Sequence, residues 1–314
     1  MRLVFAGTPD VAVASLEALL DSAHEVVAVV TRPDAASGRG RRSTSSPVAE
    51  VARERGIEVL TPDRPDAPDF VTRLRDLRVD CAPVVAYGGL IPPLVLTIPG
   101  HGWVNLHFSL LPAWRGAAPV QRAIIAGDEL TGATTFRLEA GLDTGPVYGV
   151  VTEPIGPLDT SGDVLQRLAQ SGARLLVATL DGIASGDLAP RPQGDDGVSY
   201  APKLTARDAE VDWTAPALSV DRLVRGCSPA PGAWTTFRGE RLKLGPVQMR
   251  VDRPDLAGAA VALSDGEVLV GTGSHAVALG QVQAAGRRAM PAGDWARGVR
   301  VEPGEQLGVD GASR

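Results

Sequence analysis

The first thirty residues contain two short apolar runs on either side of a segment with helical spacing. Arg2 to Phe5 is rich in β-forming residues, residues 10–20 carry apolar side chains at helical intervals, and Val26 to Val30 is a second apolar run. A strand, a helix and another strand in that order are the opening of a parallel α/β sheet. The sequence therefore predicts an α/β fold whose ligands bind at the carboxyl ends of the strands.

Length and composition favour two domains. A chain of 314 residues, 44% of them hydrophobic, exceeds one typical domain and can bury a sizeable core. We expect a first domain at residues 1–188, a linker at residues 189–207 and a second domain at residues 208–314. Three prolines and two glycines between Pro190 and Pro202 are typical of a linker.

The second domain is predicted to be a small β-barrel. A segment with amphipathic helical spacing at residues 215–225 is followed by short β-rich runs with frequent glycines. These runs are Trp234–Phe237, Leu242–Val247, Val268–Val270 and Ala276–Val282. Barrels of this kind often bind single-stranded or terminal nucleic acid through stacking and charge.

Several features bound the cellular context. No apolar run is long enough to cross a bilayer, and the apolar start at Leu3 to Ala6 lacks the layout of a signal peptide. The two cysteines, Cys81 and Cys227, suggest neither a metal site nor a disulfide framework. We therefore expect a cytoplasmic protein that needs no metal.

The net charge of −6 argues on average against a nucleic-acid partner, because phosphate binding depends on cationic side chains. Three arginines, Arg39, Arg41 and Arg42, nevertheless crowd into residues 31–46, which are rich in glycine and serine and have no periodicity. This composition predicts a long mobile loop. It is either a solvated linker or, given its position after the second strand, a loop that grips a substrate through arginine.

The strongest chemical signal is the run V-N-L-H-F-S-L-L-P at residues 104–112. In a strand, Asn105 and His107 point to the same face, so an amide donor lies beside an acid/base group. Acyl transfer needs both, since an oxyanion must be stabilised while a proton is moved. A polar strand end without chemistry is the alternative, but His107 is the one of four histidines with an amide at strand spacing. Asp143, in L-D-T-G, could orient or charge it.

A second candidate for ligand binding follows the apolar run at residues 81–86. Tyr87, Gly88 and Gly89 end that run, and glycines permit close approach of the backbone to a ligand. A tight turn is the structural alternative. The backbone from Gly88 to Ile91 could instead contact the edge of a flat heterocycle.

These motifs together resemble the folate-dependent formyltransferases. The run from His107 to Arg122, F-A-G-T-P-D near the start, S-G-R-G-R-R at residues 37–42, V-V-A-Y-G before Gly89 and Y-A-P-K-L near Tyr200 extend the resemblance over nearly the whole chain. It is most similar to the members of that family that act on methionyl-initiator tRNA. The resemblance implies a Rossmann-like parallel-sheet formyltransferase domain followed by a small OB-like β-barrel domain.

The resemblance also implies an activity and its residues. The expected reaction is transfer of the formyl group of 10-formyltetrahydrofolate to the α-amine of initiator methionyl-tRNA, by a monomer and without a metal. The implied catalytic residues are Asn105, His107 and Asp143. The implied folate contacts are Gly88, Gly89, Leu90, Ile91, Ser109, Leu110, Leu111 and Pro112. The implied tRNA contacts are Arg39, Arg41, Arg42, Lys203, Arg241, Lys243, Arg287 and Arg288.

Two positions depart from the family pattern. Gly89 stands where a larger apolar residue is commoner, and Phe108 stands where a small residue is commoner. We expect Phe108 in the core behind the site, because it alternates with His107. Another folate-dependent formyltransferase, a formyltetrahydrofolate hydrolase and a non-catalytic folate- or tRNA-binding module remain the alternatives.

Overall fold

The computed structural model describes residues 1–37, 42–253, 256, 258–302 and 304–308. The chain forms two compact units. The first comprises Met1–Pro119, Leu130–Pro154 and Leu165–Ala201, and the second comprises Val120–Glu129, Ile155–Val164 and Pro202–Arg314. The predicted domain limits at residues 188 and 208 remain predictions.

Strands and helices are interleaved along residues 1–201, and they begin with the predicted strand, helix and strand. The strands are β1 (Arg2–Gly7), β2 (Glu25–Val30), β3 (Ala35–Ser37), β4 (Arg42–Thr44), β5 (Glu58–Leu60), β6 (Ala82–Val85), β7 (Trp103–His107), β8 (Leu130–Arg137) and β9 (Val147–Pro154). The helices are α1 (Val13–Leu20), α2 (Pro47–Glu54), α3 (Pro68–Asp76), α4 (Pro93–Leu96), α5 (Pro119–Ala126) and α6 (Ser161–Ser185).

The main sheet has seven strands in the order β5-β2-β1-β6-β7-β8-β9. The first five are parallel, and β8 and β9 complete the sheet as antiparallel neighbours. Leu3, Val4, Phe5 and Ala6 of β1 are fully buried, as a parallel strand covered on both faces requires. The Rossmann-like α/β fold that the sequence predicted is confirmed, with a mixed rather than wholly parallel sheet.

The chain order places a ligand-binding edge beside β1. Strands β2 and β5 lie on one side of β1 and strands β6 and β7 on the other, so the strand order reverses there. A hydrogen bond joins the ends of β1 and β6, because Thr8 Oγ1 donates to the carbonyl oxygen of Tyr87 at 2.8 Å. The segments after β6 and β7 leave the sheet at this same edge, since Val84 pairs in parallel with Asn105.

The glycine- and arginine-rich segment at residues 31–46 contains regular structure at its two ends. Strand β3 pairs antiparallel with β4, and Ser37 lies opposite Arg42. The prediction of a loop without secondary structure was therefore wrong for residues 35–37 and 42–44. Backbone hydrogen bonds hold this short ladder together. The sequence of such a ladder needs no apolar periodicity, and its strands therefore leave no pattern from which they could be predicted.

The second unit is rich in antiparallel strands, as predicted. Its helices include α7 (Ala217–Gly226) and α8 (Ala292–Val299). Its strands are β10 (Trp234–Phe237), β11 (Glu240–Leu244), β12 (Val247–Arg250), β13 (Val261–Ser264), β14 (Glu267–Val270), β15 (Ala276–Leu279), β16 (Gln281–Ala284) and β17 (Met290–Pro291). They form two antiparallel sheets in the orders β10-β11-β16-β17 and β12-β15-β14-β13.

Two runs predicted as single strands are each divided between these sheets. Leu242–Val247 breaks between β11 and β12, and Ala276–Val282 breaks between β15 and β16. Both breaks lie at glycines in close backbone contact: a Cβ on Gly280 would lie 2.6 Å from the Pro246 carbonyl oxygen, and one on Gly245 would lie 3.2 Å from that of Gln281. The chain changes sheets at these two close approaches, where a side chain would crowd the neighbouring backbone.

Candidate active site

Strand β7 places Asn105 and His107 on one face of the sheet. Against β8, Asn105 lies opposite Phe136 and His107 lies opposite Thr134. The rings of His107 and Phe136 are edge to face, with centroids 6.4 Å apart, as expected for diagonal neighbours on one face. His107 is buried and Asn105 is half-buried. Within the described part of the chain, the Asn105 amide has no hydrogen-bond partner and is available to a ligand.

The two ring nitrogens of His107 have different neighbours. Nε2 lies 2.9 Å from the carbonyl oxygen of Trp114, and Nδ1 lies 3.7 Å from Oδ2 of Asp143. A carbonyl oxygen only accepts hydrogen bonds, so Nε2 carries the proton and donates it. The lone pair of the neutral ring is then on Nδ1, and that nitrogen can accept a proton beside the Asp143 carboxylate.

Opposing effects set the pKa of His107. Burial disfavours the charged ring and is the largest effect, while the Asp143 carboxylate and the Trp114 carbonyl favour the charged form. The net result is a His107 pKa below the ordinary value. The sequence led us to expect that Asp143 raises this pKa; the carboxylate acts in that direction, but burial outweighs it. His107 is therefore neutral at neutral pH.

The turn that carries Asp143 has a constrained backbone. Asp143 adopts a left-handed conformation with φ of +50°, and its Oδ2 accepts a hydrogen bond of 2.7 Å from the backbone N–H of Gly116. A Cβ on Gly145 would lie 1.7 Å from the Arg137 carbonyl oxygen, so that position excludes any side chain. These contacts fix the carboxylate near His107.

Three polar residues that support the site were missed by the sequence analysis. Thr134 bonds to both ends of the turn after His107, Gln193 bonds to the Asp143 turn, and Ser199 Oγ accepts from the Trp114 backbone N–H at 2.9 Å. Gln193 and Ser199 lie in the segment whose composition suggested only a linker. For Thr134 a signal was present, since a threonine within a buried apolar strand needs a partner.

The candidate folate residues after β6 expose their backbone. Gly88 has φ of +77°, and Leu90 is 87% exposed. Among the residues that the structure describes, no backbone group of Gly88, Gly89, Leu90 or Ile91 has a hydrogen-bond partner. A Cβ on Gly89 would lie 2.9 Å from the ring of Tyr87, so a larger residue there would displace that ring.

The candidate folate residues after β7 differ in accessibility. Leu110, Leu111 and Pro112 are half-buried. Ser109 is fully buried and its Oγ donates to the Ala113 carbonyl oxygen at 2.6 Å. The Ser109 hydroxyl is therefore enclosed and engaged within the turn, and a folate contact at Ser109 stays a prediction. Phe108 is buried, as predicted.

The candidate tRNA residues are partly described. Arg39 and Arg41 lie outside the described residues, and the backbone of Arg42 lies in β4. The remaining basic candidates are all exposed: Lys203, Arg241, Lys243, Arg287 and Arg288. The Arg241 guanidinium lies 4.2 Å from the centroid of the Trp234 ring, and Lys243 lies opposite Trp234 in the neighbouring strand. Arg241 and Lys243 thus share one exposed sheet face.

The described residues contain neither a candidate metal site nor a helix suited to a membrane. No group of three or more histidine, cysteine or carboxylate side chains there could hold a metal ion. No helix in the same residues combines the length and apolar character that crossing a membrane requires.

Comparison with known proteins identifies relatives over the full chain. Residues 1–180 match the formyl transferase family, and residues 203–300 match the formyl transferase C-terminal domain. The methionyl-tRNA formyltransferase of Thermobifida fusca is 67% identical over 99% of this chain and 100% of that protein. That of Streptomyces coelicolor is 64% identical over 98% of this chain and 100% of its own length.

A solved structure shows the same fold at low identity. HypX from Aquifex aeolicus, crystallised in complex with tetrahydrofolic acid, superposes with a TM-score of 0.64. The match covers 94% of this chain and 46% of HypX, with 18% sequence identity.

Proposed function

This chain belongs to the methionyl-tRNA formyltransferase family, and we propose that it transfers the formyl group of 10-formyltetrahydrofolate to the α-amine of methionyl-initiator tRNA for translation initiation. The observation that carries the proposal is the full-length identity of 67% to a methionyl-tRNA formyltransferase. The grouping of Asn105, His107 and Asp143 at the carboxyl edge of the sheet supplies the chemistry.

His107 acts as the proton carrier. The amine nitrogen attacks the formyl carbon, and the bond from that carbon to the folate nitrogen then breaks. The amine loses a proton that the folate nitrogen must gain. Neutral His107 accepts this proton at Nδ1 and returns it to the leaving nitrogen, while its Nε2–H stays on the Trp114 carbonyl oxygen.

Asn105 stabilises the negative charge that develops on the formyl oxygen. Its amide lies on the same face as His107 and has no partner within the described residues, so it is free to donate. Asp143 stabilises the charged His107 ring, since its carboxylate lies 3.7 Å from Nδ1. The cationic ring adds a second donor near the oxyanion once Nδ1 is protonated.

The folate donor is expected at the adjoining segments after β6 and β7. The unpaired backbone groups of residues 88–91 suit the edge of a flat, polar heterocycle, which presents donors and acceptors in one plane. Leu110, Leu111 and Pro112 would supply apolar contact. Ser109 remains a proposed folate contact, and its hydroxyl is engaged within the turn.

The tRNA is expected to contact exposed basic residues. Arg241 and Lys243 present two positive charges on one face of β11, and Trp234 beside them offers an aromatic surface for stacking. Lys203, Arg287, Arg288 and the arginines at residues 39, 41 and 42 complete this proposal. We expect a monomer that acts in the cytoplasm, where translation begins.

Transfer of labelled formyl tests the function directly. The donor is 10-formyltetrahydrofolate, and methionyl-initiator tRNA competes with glycinamide ribonucleotide and water as acceptor. Product confined to the charged tRNA supports the proposal; transfer to another acceptor or hydrolysis favours an alternative formyltransferase or hydrolase. Folate binding without any turnover would instead indicate a binding module.

Variants then test the residue roles. Asn105→Ala, which removes an oxyanion donor, should lower kcat by roughly 10²–10³ with little change in folate affinity. His107→Ala should also lower kcat strongly. His101→Ala is the matched control, because this exposed histidine lies outside the site and should leave kcat unchanged. A near-normal kcat would remove the substituted residue from the mechanism.

A further inference from the structure

Gln193 connects two loops of the active site through its side-chain amide. Its Nε2 donates to the carbonyl oxygens of Asp143 and Gly145, at 2.7 Å and 2.8 Å. Its Oε1 accepts from Nε and one terminal nitrogen of Arg115, at 3.2 Å and 2.7 Å. Both donors and the acceptor oxygen of the amide are therefore engaged.

The loop on the Arg115 side is itself held in place. The Arg115 backbone N–H donates to the Ser199 carbonyl oxygen at 2.9 Å, and the Arg115 carbonyl oxygen accepts from the Ala201 N–H at 2.8 Å. The adjoining Trp114 carbonyl fixes Nε2 of His107. The backbone of Arg115 is thus fixed next to Trp114, whose carbonyl oxygen orients His107.

The loop on the other side depends on external contacts for its shape. Asp143 has a left-handed backbone, which an aspartate adopts only when its surroundings favour it. Gln193 bonds the carbonyl oxygen of Asp143 itself and that of Gly145 two residues later. It therefore secures the residue whose carboxylate faces His107.

We propose that Gln193 is a positioning residue for formyl transfer, which keeps the Asp143 carboxylate beside His107 by joining the Asp143 turn to Arg115. This inference rests on the proposed function of the site. Gln193 acts through Asp143 and does not itself take part in the chemistry. An amide suits the role because one end donates to two carbonyl oxygens while the other accepts from a guanidinium.

Two substitutions separate this role from simple packing. Gln193→Met keeps the length and neutrality of the side chain but removes every hydrogen bond. Gln193→Glu keeps an acceptor for Arg115 but turns an oxygen toward the two carbonyl oxygens, so it should release the turn while preserving the other contact. Gln248→Glu, on an exposed position of β12, is the control for the added charge.

Two quantities are measured for each variant: the kinetic constants and the pKa of His107. Displacement of a catalytic group by about 1 Å can cost roughly 10²-fold, so we expect kcat for both Gln193 variants to fall by about 10- to 100-fold, with folate KM within about 3-fold. The second readout is the pKa of His107, measured by NMR titration and assigned by comparison with His107→Ala. Asp143 is the charged group near His107 among the described residues, and it raises this pKa. The pKa should therefore fall further in Gln193→Met.

The outcomes are distinct. A lower kcat together with a lower His107 pKa in Gln193→Met supports the positioning role. An unchanged His107 pKa overturns it, even if kcat falls, because the Asp143 carboxylate would then still lie beside the ring. A raised His107 pKa also overturns it, because it indicates that the ring has lost its burial. If Gln193→Met does not fold, Gln193→Glu with wild-type kcat overturns it equally. Failure of the wild-type protein to formylate methionyl-tRNA would refute the proposed function, while the NMR comparison would still test the contact.

Discussion

The Thr134 hydroxyl is the internal support of the turn that follows His107, and replacing it by valine tests that role. Thr134 is fully buried in β8. Its Oγ1 donates to the Ser109 carbonyl oxygen at 2.6 Å and accepts from the Leu111 backbone N–H at 3.2 Å. Valine has nearly the same shape, so Thr134→Val removes both hydrogen bonds without opening a cavity.

The expected loss of stability follows from the two groups left without a partner. A buried polar group that loses its partner costs about 1–3 kcal/mol. The Ser109 carbonyl lies in the buried interior and should bear the full cost, whereas the partly buried Leu111 N–H can recover some hydration. Together these give about 2–4 kcal/mol for Thr134→Val.

Equilibrium urea unfolding followed by circular dichroism measures this loss. Thr131→Val is the matched control, because Thr131 is buried in the same strand but has no side-chain hydrogen bond to the described residues. It should leave the free energy of unfolding unchanged or raise it slightly, because a methyl group replaces a buried hydroxyl that has no such hydrogen bond. A Thr134 variant as stable as this control would refute the reasoning. We also expect Thr134→Val to raise the folate KM, since Leu110, Leu111 and Pro112 belong to the turn it releases.

Three further outcomes follow from burial. Because burial lowers the pKa of His107, kcat should be flat at neutral pH and fall only as the pH drops through that lowered pKa. The free energy of unfolding, measured in urea, should receive the full contribution of the buried neutral ring above the unfolded pKa of 6.5 and lose it as the pH falls from 6.5 to the pKa of the folded protein. Arg225→Met should cost about 3–5 kcal/mol, because it leaves Asp221 buried after loss of a 2.8 Å ion pair; Asp221→Asn added to it should restore most of the urea-unfolding free energy. Burial raises the pKa of Cys81 to about 12 and that of Cys227 to about 11, so neither thiol should react with a chromogenic disulfide reagent at neutral pH before denaturation.

The sequence predicted elements that are held by buried apolar periodicity. Strand β1, helix α1 and strand β2 follow in the predicted order, because their apolar residues recur at strand and helix intervals. The predictions failed where backbone contacts decide the structure. The β3–β4 ladder lies in a segment without apolar periodicity, and the strand breaks at Gly245 and Gly280 lie at close approaches to the backbone of Gln281 and Pro246. Neither the pairing of β3 with β4 nor the close approach at these glycines can be recognised from the residues nearby in the sequence.

Much of the candidate site was within reach of sequence reasoning, but its support was not. The alternation of side chains along a strand places Asn105 and His107 on one face. This could be predicted because both residues belong to the same strand. The contact between Gln193 and Asp143 joins residues fifty positions apart, and that between Ser199 and Trp114 joins residues eighty-five apart. No periodicity connects such positions. A proline- and glycine-rich composition correctly indicates an irregular segment, but it gives no information about what that segment contacts.

The protonation state of His107 depends on its burial in the fold as well as on the residues of its sequence motif. The motif supplies a carboxylate, which by itself would favour a charged ring unable to accept a proton from an amine. The fold encloses the ring, and the resulting burial outweighs the carboxylate. The neutral ring can then take a proton at Nδ1, and Asp143 at 3.7 Å stabilises the charge only after it has formed. A more exposed histidine with the same neighbours would have a higher pKa and would be neutral in a smaller fraction of molecules at neutral pH, so the burial of β7 sets how much of the protein can accept a proton.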